Sequence, residues 1–125
     1  ARRLSPDALA AGEFVVRSWP WLQKQLCHPP FTLLHGNPRT GNIFFLKGPG
    51  GRMTPAFLDW QCVCMGKGMV DFSYFLVDAF DADQAKEHEE ELVQMYYESL
   101  QLQGVFGYSL EQCWQDYKMA LMFWP

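Results

Sequence analysis

Residues 33–45 read LLHGNPRTGNIFF. Two leucines deliver an apolar, extended chain to His35-Gly36. A polar loop follows and ends at Asn42, after which Ile43-Phe44-Phe45 resumes a strand pattern. A polar loop pinned between two buried strands is a good place for function, because rigid elements hold both of its ends. The stretch therefore predicts two strands with a functional loop between them.

The next apolar run, AFLD at residues 56–59, closes on Asp59. Asn42 and Asp59 would then stand at neighbouring strand ends, each with a hard oxygen of the kind that suits Mg²⁺. Each residue also has a plainer reading. Asn42 fits a turn, Asp59 a strand-end surface acid, and His35 a histidine satisfied within the core. Arg39 reads as a solvated loop arginine or as a contact to substrate or phosphate.

Outward from the loop, the sequence divides into short elements. Ser5-Pro6-Asp7 opens a helix with a hydroxyl N-cap, a proline in the first turn and an acid near the positive dipole end. Leu9, Phe14, Val15, Leu22 and Leu26 supply its apolar positions, and Pro20 is expected to break or kink it. His28-Pro29-Pro30 ends helical structure. FTLLHG, NIFFL and AFLDWQCV read as three strands, the last two forming a β-hairpin whose long tip is KGPGGRMTP. Residues 69–80 read as a buried helix with Asp71 near its start.

Asp81 to Gln84 and Ser109 to Gln112 both fit capping boxes. The helix after Asp81 should reach about Leu102, with Gly104 near its C-cap. Its early run EHEEE, residues 87–91, reads as a solvated face. The last helix places Leu110, Cys113, Trp114, Tyr117 and Leu121 on one apolar stripe.

Composition bounds the function classes. The chain has 125 residues, a formal net charge of -4, and ten Phe, five Trp and five Tyr. That length suits one domain or a piece of one, able to bury roughly two-thirds of its unfolded surface. The aromatic surplus fits a dense core or a face that meets something else. The only basic cluster is ARR at residues 1–3, which disfavours nucleic acid as a partner. No apolar run is long enough to span a membrane. Cys27, Cys62, Cys64 and Cys113 lack zinc spacings and read as buried or free thiols, which points to a reducing cytoplasmic setting. Cys62 and Cys64 would share one strand face. A start at Ala1 and the apolar end ALMFWP read as a piece of a longer protein, or as docking against a missing part.

Three stretches in order carry a family resemblance. HGNPRTGN resembles the HGDxxxxN loop of the aminoglycoside phosphotransferase and choline-kinase-like family. FLDWQ resembles its metal-binding segment, and GMVDFSYFL its helix entry D-[LF]-[AS]-Y-F-L. The resemblance covers residues 33 to 77. It implies an α+β fold: the mostly helical C-terminal lobe of a protein-kinase-like fold, with a small β-hairpin carrying the catalytic and metal-binding loops. Residues 1–125 would be a single partial domain whose N-terminal nucleotide lobe is absent. No glycine-rich phosphate loop precedes His35, and GPGG at residues 48–51 reads as the hairpin tip.

The resemblance also implies roles. Asn42 and Asp59 would hold Mg²⁺ and, through it, the phosphates of ATP. His35 would support the loop structurally. Asp71 would accept hydrogen bonds from the loop and cap its own helix. Asn37 stands where the family has its catalytic aspartate. An amide can accept a hydrogen bond but has no useful basicity, and Pro38 holds Asn37 toward extended backbone angles. The implied activity is transfer of the γ-phosphate of ATP to a hydroxyl of an unknown small molecule. An inactive, pseudokinase-like binding or regulatory module is the alternative, and a purely structural or interaction domain is the third reading.

Overall fold

The computed structural model describes residues 4–124, so the basic start at residues 1–3 and Pro125 lie outside it. The elements run α1 (Pro6–Leu26), β1 (Thr32–Leu34), β2 (Ile43–Lys47), β3 (Met53–Phe57), β4 (Cys64–Gly66), α2 (Gly68–Ala79), α3 (Ala82–Leu102) and α4 (Leu110–Leu121). Single 3₁₀ turns occupy Thr40–Asn42, Pro49–Gly51 and Trp60–Cys62. Two small antiparallel sheets result. One pairs β2 with β3, Ile43 opposite Phe57 and Lys47 opposite Met53; the other pairs β1 with β4, Thr32 opposite Gly66.

The core lies among α2, α3 and α4. Met69 and Leu76 of α2, Val93 of α3 and Cys113, Tyr117 and Ala120 of α4 are all buried and pack together with Tyr108. Phe72 lies against both Tyr96 and Tyr117. The stripe on α4 is thus the packing face its spacing implies, with Leu110, Trp114 and Leu121 half-buried along its edge. Burial pushes the Cys113 thiol up to about 11, so it packs as a protonated, inert group. Cys27, Cys62 and Cys64 are free and exposed.

Helix starts follow local chemistry. Ser5 accepts from the Ala8 N–H, and Asp81 and Gln84 complete a reciprocal capping box. Only half of the second box forms. Ser109 accepts from the Gln112 N–H, but the Gln112 side chain turns to Asp116 instead. A buried carboxylate is a stronger acceptor than a solvated cap is a donor.

Four further expectations are corrected. Pro20 does not break α1, which runs through it. Leu22 is buried beyond the proline and Trp19 stacks on Phe123, so contacts on both sides offset the missing hydrogen bond. AFLDWQCV is not one strand. It leaves the sheet after Phe57, and Asp59 takes a left-handed conformation with φ 65° and ψ 57° before the turn at Trp60–Cys62. Cys62 and Cys64 therefore do not share a strand face. The hairpin tip is shorter than KGPGGRMTP, because Met53, Thr54 and Pro55 belong to β3.

The final aromatic run docks on its own chain. Phe123 stacks on Trp19, and Trp124 stacks on Tyr74. Phe44, Phe45 and Leu46 of the hairpin stay exposed, as do Leu9, Phe14 and Val16 of α1. Among the described residues no helix is long and apolar enough to cross a membrane.

Candidate functional site

The loop from His35 to Asn42 lies along one face of α2. Three α2 residues hold it, at positions 71, 74 and 78. This i, i+3, i+7 spacing puts them on one side of a helix, over about 10 Å of its length. The Asp71 carboxylate accepts the His35 N–H at Oδ2 and the Gly36 N–H at Oδ1, the latter at 3.1 Å. Tyr74 donates its hydroxyl to Asn37 Oδ1 at 3.1 Å. Asp78 Oδ2 accepts both the N–H and the hydroxyl of Thr40, each at 2.7 Å. These two Thr40 bonds hold the Asp78 carboxyl below its ordinary value, with a smaller contribution from the Arg39 charge and a small opposing one from burial. Asp71 does not cap its helix. The N-cap is Lys67, whose side chain makes no capping bond, and the Asp71 oxygens are spent on the loop.

His35 ties the loop to the segment that carries Asp59. It is buried, with its ring against Trp60 at 4.5 Å and near Phe57 at 5.9 Å. Its Nδ1 accepts the Asn37 N–H at 3.2 Å, which leaves Nε2 to donate to the Leu58 carbonyl at 2.7 Å. Both ring nitrogens are thereby occupied, as suits a structural histidine. Gly36 has no alternative. Its φ is +79°, and a Cβ there would collide with the Cys62 carbonyl oxygen.

Asn42 ends the loop. Its Nδ2 donates to the Asn37 carbonyl at 2.9 Å, and its own carbonyl accepts the Leu58 N–H at 2.9 Å. The second bond extends the β2–β3 ladder by one step and puts the 57–58 peptide, one residue before Asp59, beside Asn42. Asn42 Oδ1 makes no protein hydrogen bond among the described residues. Asp59 is exposed, and Gln61 Nε2 touches only Oδ2 at 3.5 Å. It is the one non-glycine residue with positive φ among the described residues. Such backbone conformations concentrate where a side chain must be aimed. Two open oxygens thus stand at adjoining strand ends.

No three His, Cys, Asp or Glu side chains converge on a metal position among the described residues. An amide oxygen with one carboxylate is a thin cage for zinc. It fits a Mg²⁺ that completes its shell with water and ligand phosphates.

On the hairpin side of the loop an apolar cleft of about 580 Å³ opens between β1, the hairpin and α2. Leu33, Ile43, Phe45, Phe57 and Phe72 line it, and His35 and Pro38 bring the loop to its edge. A buried ion pair stands behind α2. Lys67 Nζ lies 2.9 Å from Asp116 Oδ2, with side chains 4% and 1% exposed, and Tyr108 and Gln112 also donate to that carboxylate. The pair joins α4 to the residue preceding α2.

Of the site residues read from the sequence, His35, Asn37 and Asn42 lie in the loop, Asp71 binds its backbone, and Asp59 follows the Leu58 that bonds to both His35 and Asn42. Tyr74, Asp78 and the Lys67–Asp116 pair were not anticipated. The spacing of Tyr74 and Asp78 from Asp71 was the available signal. Arg39 is exposed.

Compared with known proteins, residues 15–104 match the family model described as the ecdysteroid kinase-like family. That description does not name the aminoglycoside or choline branch. Neither the curated proteins nor the solved structures gave a match.

Proposed function

The chain belongs to the ecdysteroid kinase-like family, a family of kinase-like phosphotransferases, and on that premise we propose that it forms part of an enzyme that transfers the γ-phosphate of ATP to a hydroxyl of a small molecule. The observation that carries the reading is the loop itself. Asp71, Tyr74 and Asp78 fix residues 35–40 on α2, Asn42 ends the loop, and Asp59 follows the Leu58 that bonds to Asn42, each with an open oxygen. Phosphoryl transfer asks mainly for positioning and charge neutralisation, and a clamped loop supplies the first.

Asn42 Oδ1 and the Asp59 carboxylate are the groups that would hold Mg²⁺, which when bound neutralises charge on the phosphates of ATP. The apolar cleft beside Pro38 suits the body of an acceptor with a hydrophobic frame and peripheral hydroxyls. An ecdysteroid, the compound in the family's name, is such a molecule. Asn37 provides no base, so the hydroxyl proton would leave to solvent or to a phosphate oxygen. The expected cost is on the order of 10²–10⁴ in rate relative to a carboxylate at the same place.

The test is γ-phosphate transfer to an ecdysteroid by the whole protein. Asn37→Asp should raise kcat by about 10² or more with little change in KM for ATP. Equal kcat in the two proteins would contradict the assignment of position 37. The second reading, a binding module without transfer, is favoured by the Tyr74 bond, which occupies the amide oxygen that would receive a substrate hydroxyl. Saturable ATP binding with no transfer in either protein would decide for it.

A further inference from the structure

An asparagine side chain has one oxygen to accept with and one NH₂ to donate with. At Asn37 the oxygen is taken by the Tyr74 hydroxyl at 3.1 Å. Nδ2 makes no protein hydrogen bond among the described residues. No buried side-chain nitrogen or oxygen among them lacks a partner, so Nδ2 faces solvent. The backbone of Asn37 is fixed as well. Its N–H donates to His35 Nδ1, and its carbonyl accepts from Asn42 Nδ2 at 2.9 Å.

Tyr74 is itself held. Its ring stacks on Trp124 at 4.4 Å between centroids, with planes 18° apart. Trp124 Nε1 donates to Ser73 Oγ at 3.1 Å and to the Val70 carbonyl at 3.2 Å, which fastens the indole to α2. Phe123 meets Trp124 edge-on and stacks on Trp19 of α1. The hydroxyl that reaches Asn37 therefore comes from a ring with little freedom to swing.

We propose that Tyr74 is a positioning residue: its hydroxyl holds the Asn37 amide oxygen on the α2 side, so that position 37 presents its N–H donor to a bound oxyanion. The ligand class is a phosphoryl group. An aspartate in the same place would keep a second oxygen free beside the Tyr74 bond and could receive a substrate hydroxyl; the amide keeps none. The inference rests on the reading of this loop as a phosphate-handling site.

The test uses the full ¹⁵N-labelled chain in solution NMR, with sodium tripolyphosphate as the probe. The Asn37 side-chain amide pair is identified by its loss in Asn37→Asp. In the wild type this pair shifts saturably as tripolyphosphate is added. Tyr74→Phe keeps the ring on Trp124 and removes only the hydroxyl. It weakens the titration roughly five-fold, the size of one neutral hydrogen bond. The Asn42 side-chain pair, bonded to the Asn37 carbonyl, keeps its position and reports that the loop is folded. Trp124→Leu leaves the hydroxyl but frees the ring, and weakens the same titration by a smaller factor.

Equal titrations in wild type and Tyr74→Phe would overturn the proposal, as would an Asn37 pair that never responds. Should the Asn42 pair move in Tyr74→Phe, Trp124→Leu decides, and an unchanged titration there overturns the proposal too. The two readings fail separately. A whole protein that moves no phosphate from ATP refutes the phosphotransferase reading and leaves this titration pattern standing.

Discussion

Asp71 is the joint between α2 and the loop, and its removal has a calculable cost. The carboxylate accepts two backbone N–H groups, those of His35 and Gly36. A hydrogen bond to a charged acceptor contributes about 1.5–3 kcal/mol, so the pair could be worth about 3–6 kcal/mol. Gly36 and Asp71 are half-buried and His35 is buried, so water recovers part of the loss. Asp71→Ala is expected to cost about 3 kcal/mol. Asp71→Asn keeps one acceptor and turns an NH₂ toward the second N–H, for a cost of about 2 kcal/mol. The carboxylate also sits in the first turn of α2, where the helix dipole alone is worth about 0.3–1 kcal/mol. Urea unfolding should show a lower midpoint at unchanged slope. The His35 and Gly36 amides should lose hydrogen-exchange protection ahead of the core helices. A loss for Asp71→Asn below about 1 kcal/mol, with both amides still protected, would mean that only the dipole was felt.

Two other perturbations probe the frame of the site. Lys67→Met leaves the Asp116 charge buried with only the Tyr108 and Gln112 donors, and should cost about 3–5 kcal/mol in urea unfolding. The double variant Lys67→Met/Asp116→Leu should recover most of that; a double variant no more stable than the single would contradict the ion-pair account. Asp78 has a folded value depressed below 3.8, so its contribution is present above the ordinary carboxylate range and is lost as pH falls through that lower folded value. The Thr40 amide resonance should move with a midpoint below 3.8 and lose that movement in Asp78→Asn. A midpoint at or above 3.8 would show the clamp to be absent.

Much of the fold was legible wherever the governing chemistry is local. Ser5 and Asp81 start helices because a cap needs only the next three residues. The α4 stripe found the core because its period matches the helix. AFLDWQCV misled because its apolar pattern is continuous, while the left-handed turn at Asp59 is imposed by the ladder on one side and by His35 on the other. The break at Pro20 does not occur because the propensity argument cannot see Trp19 on Phe123 or Leu22 in its pocket. Lys67 and Asp116 meet across two intervening helices, and nothing near either residue in the sequence announces the pair. At the site, the ordered motifs pointed to the loop and to α2. Asp78 was hidden because an acid late in a helix usually reads as solvated, and its purpose appears only when Thr40 lies against it.

The proposed roles of Asn42 and Asp59 require both to offer their open oxygens to one divalent cation. Paramagnetic Mn²⁺, which takes the same hard oxygen donors as Mg²⁺, tests this on the ¹⁵N-labelled chain. The Asn42, Asp59 and Gln61 signals should broaden first at substoichiometric Mn²⁺, and Asp59→Ala should abolish the effect. Broadening that begins in the acidic run at Glu87–Glu91 and leaves Asn42 and Asp59 sharp would contradict those roles.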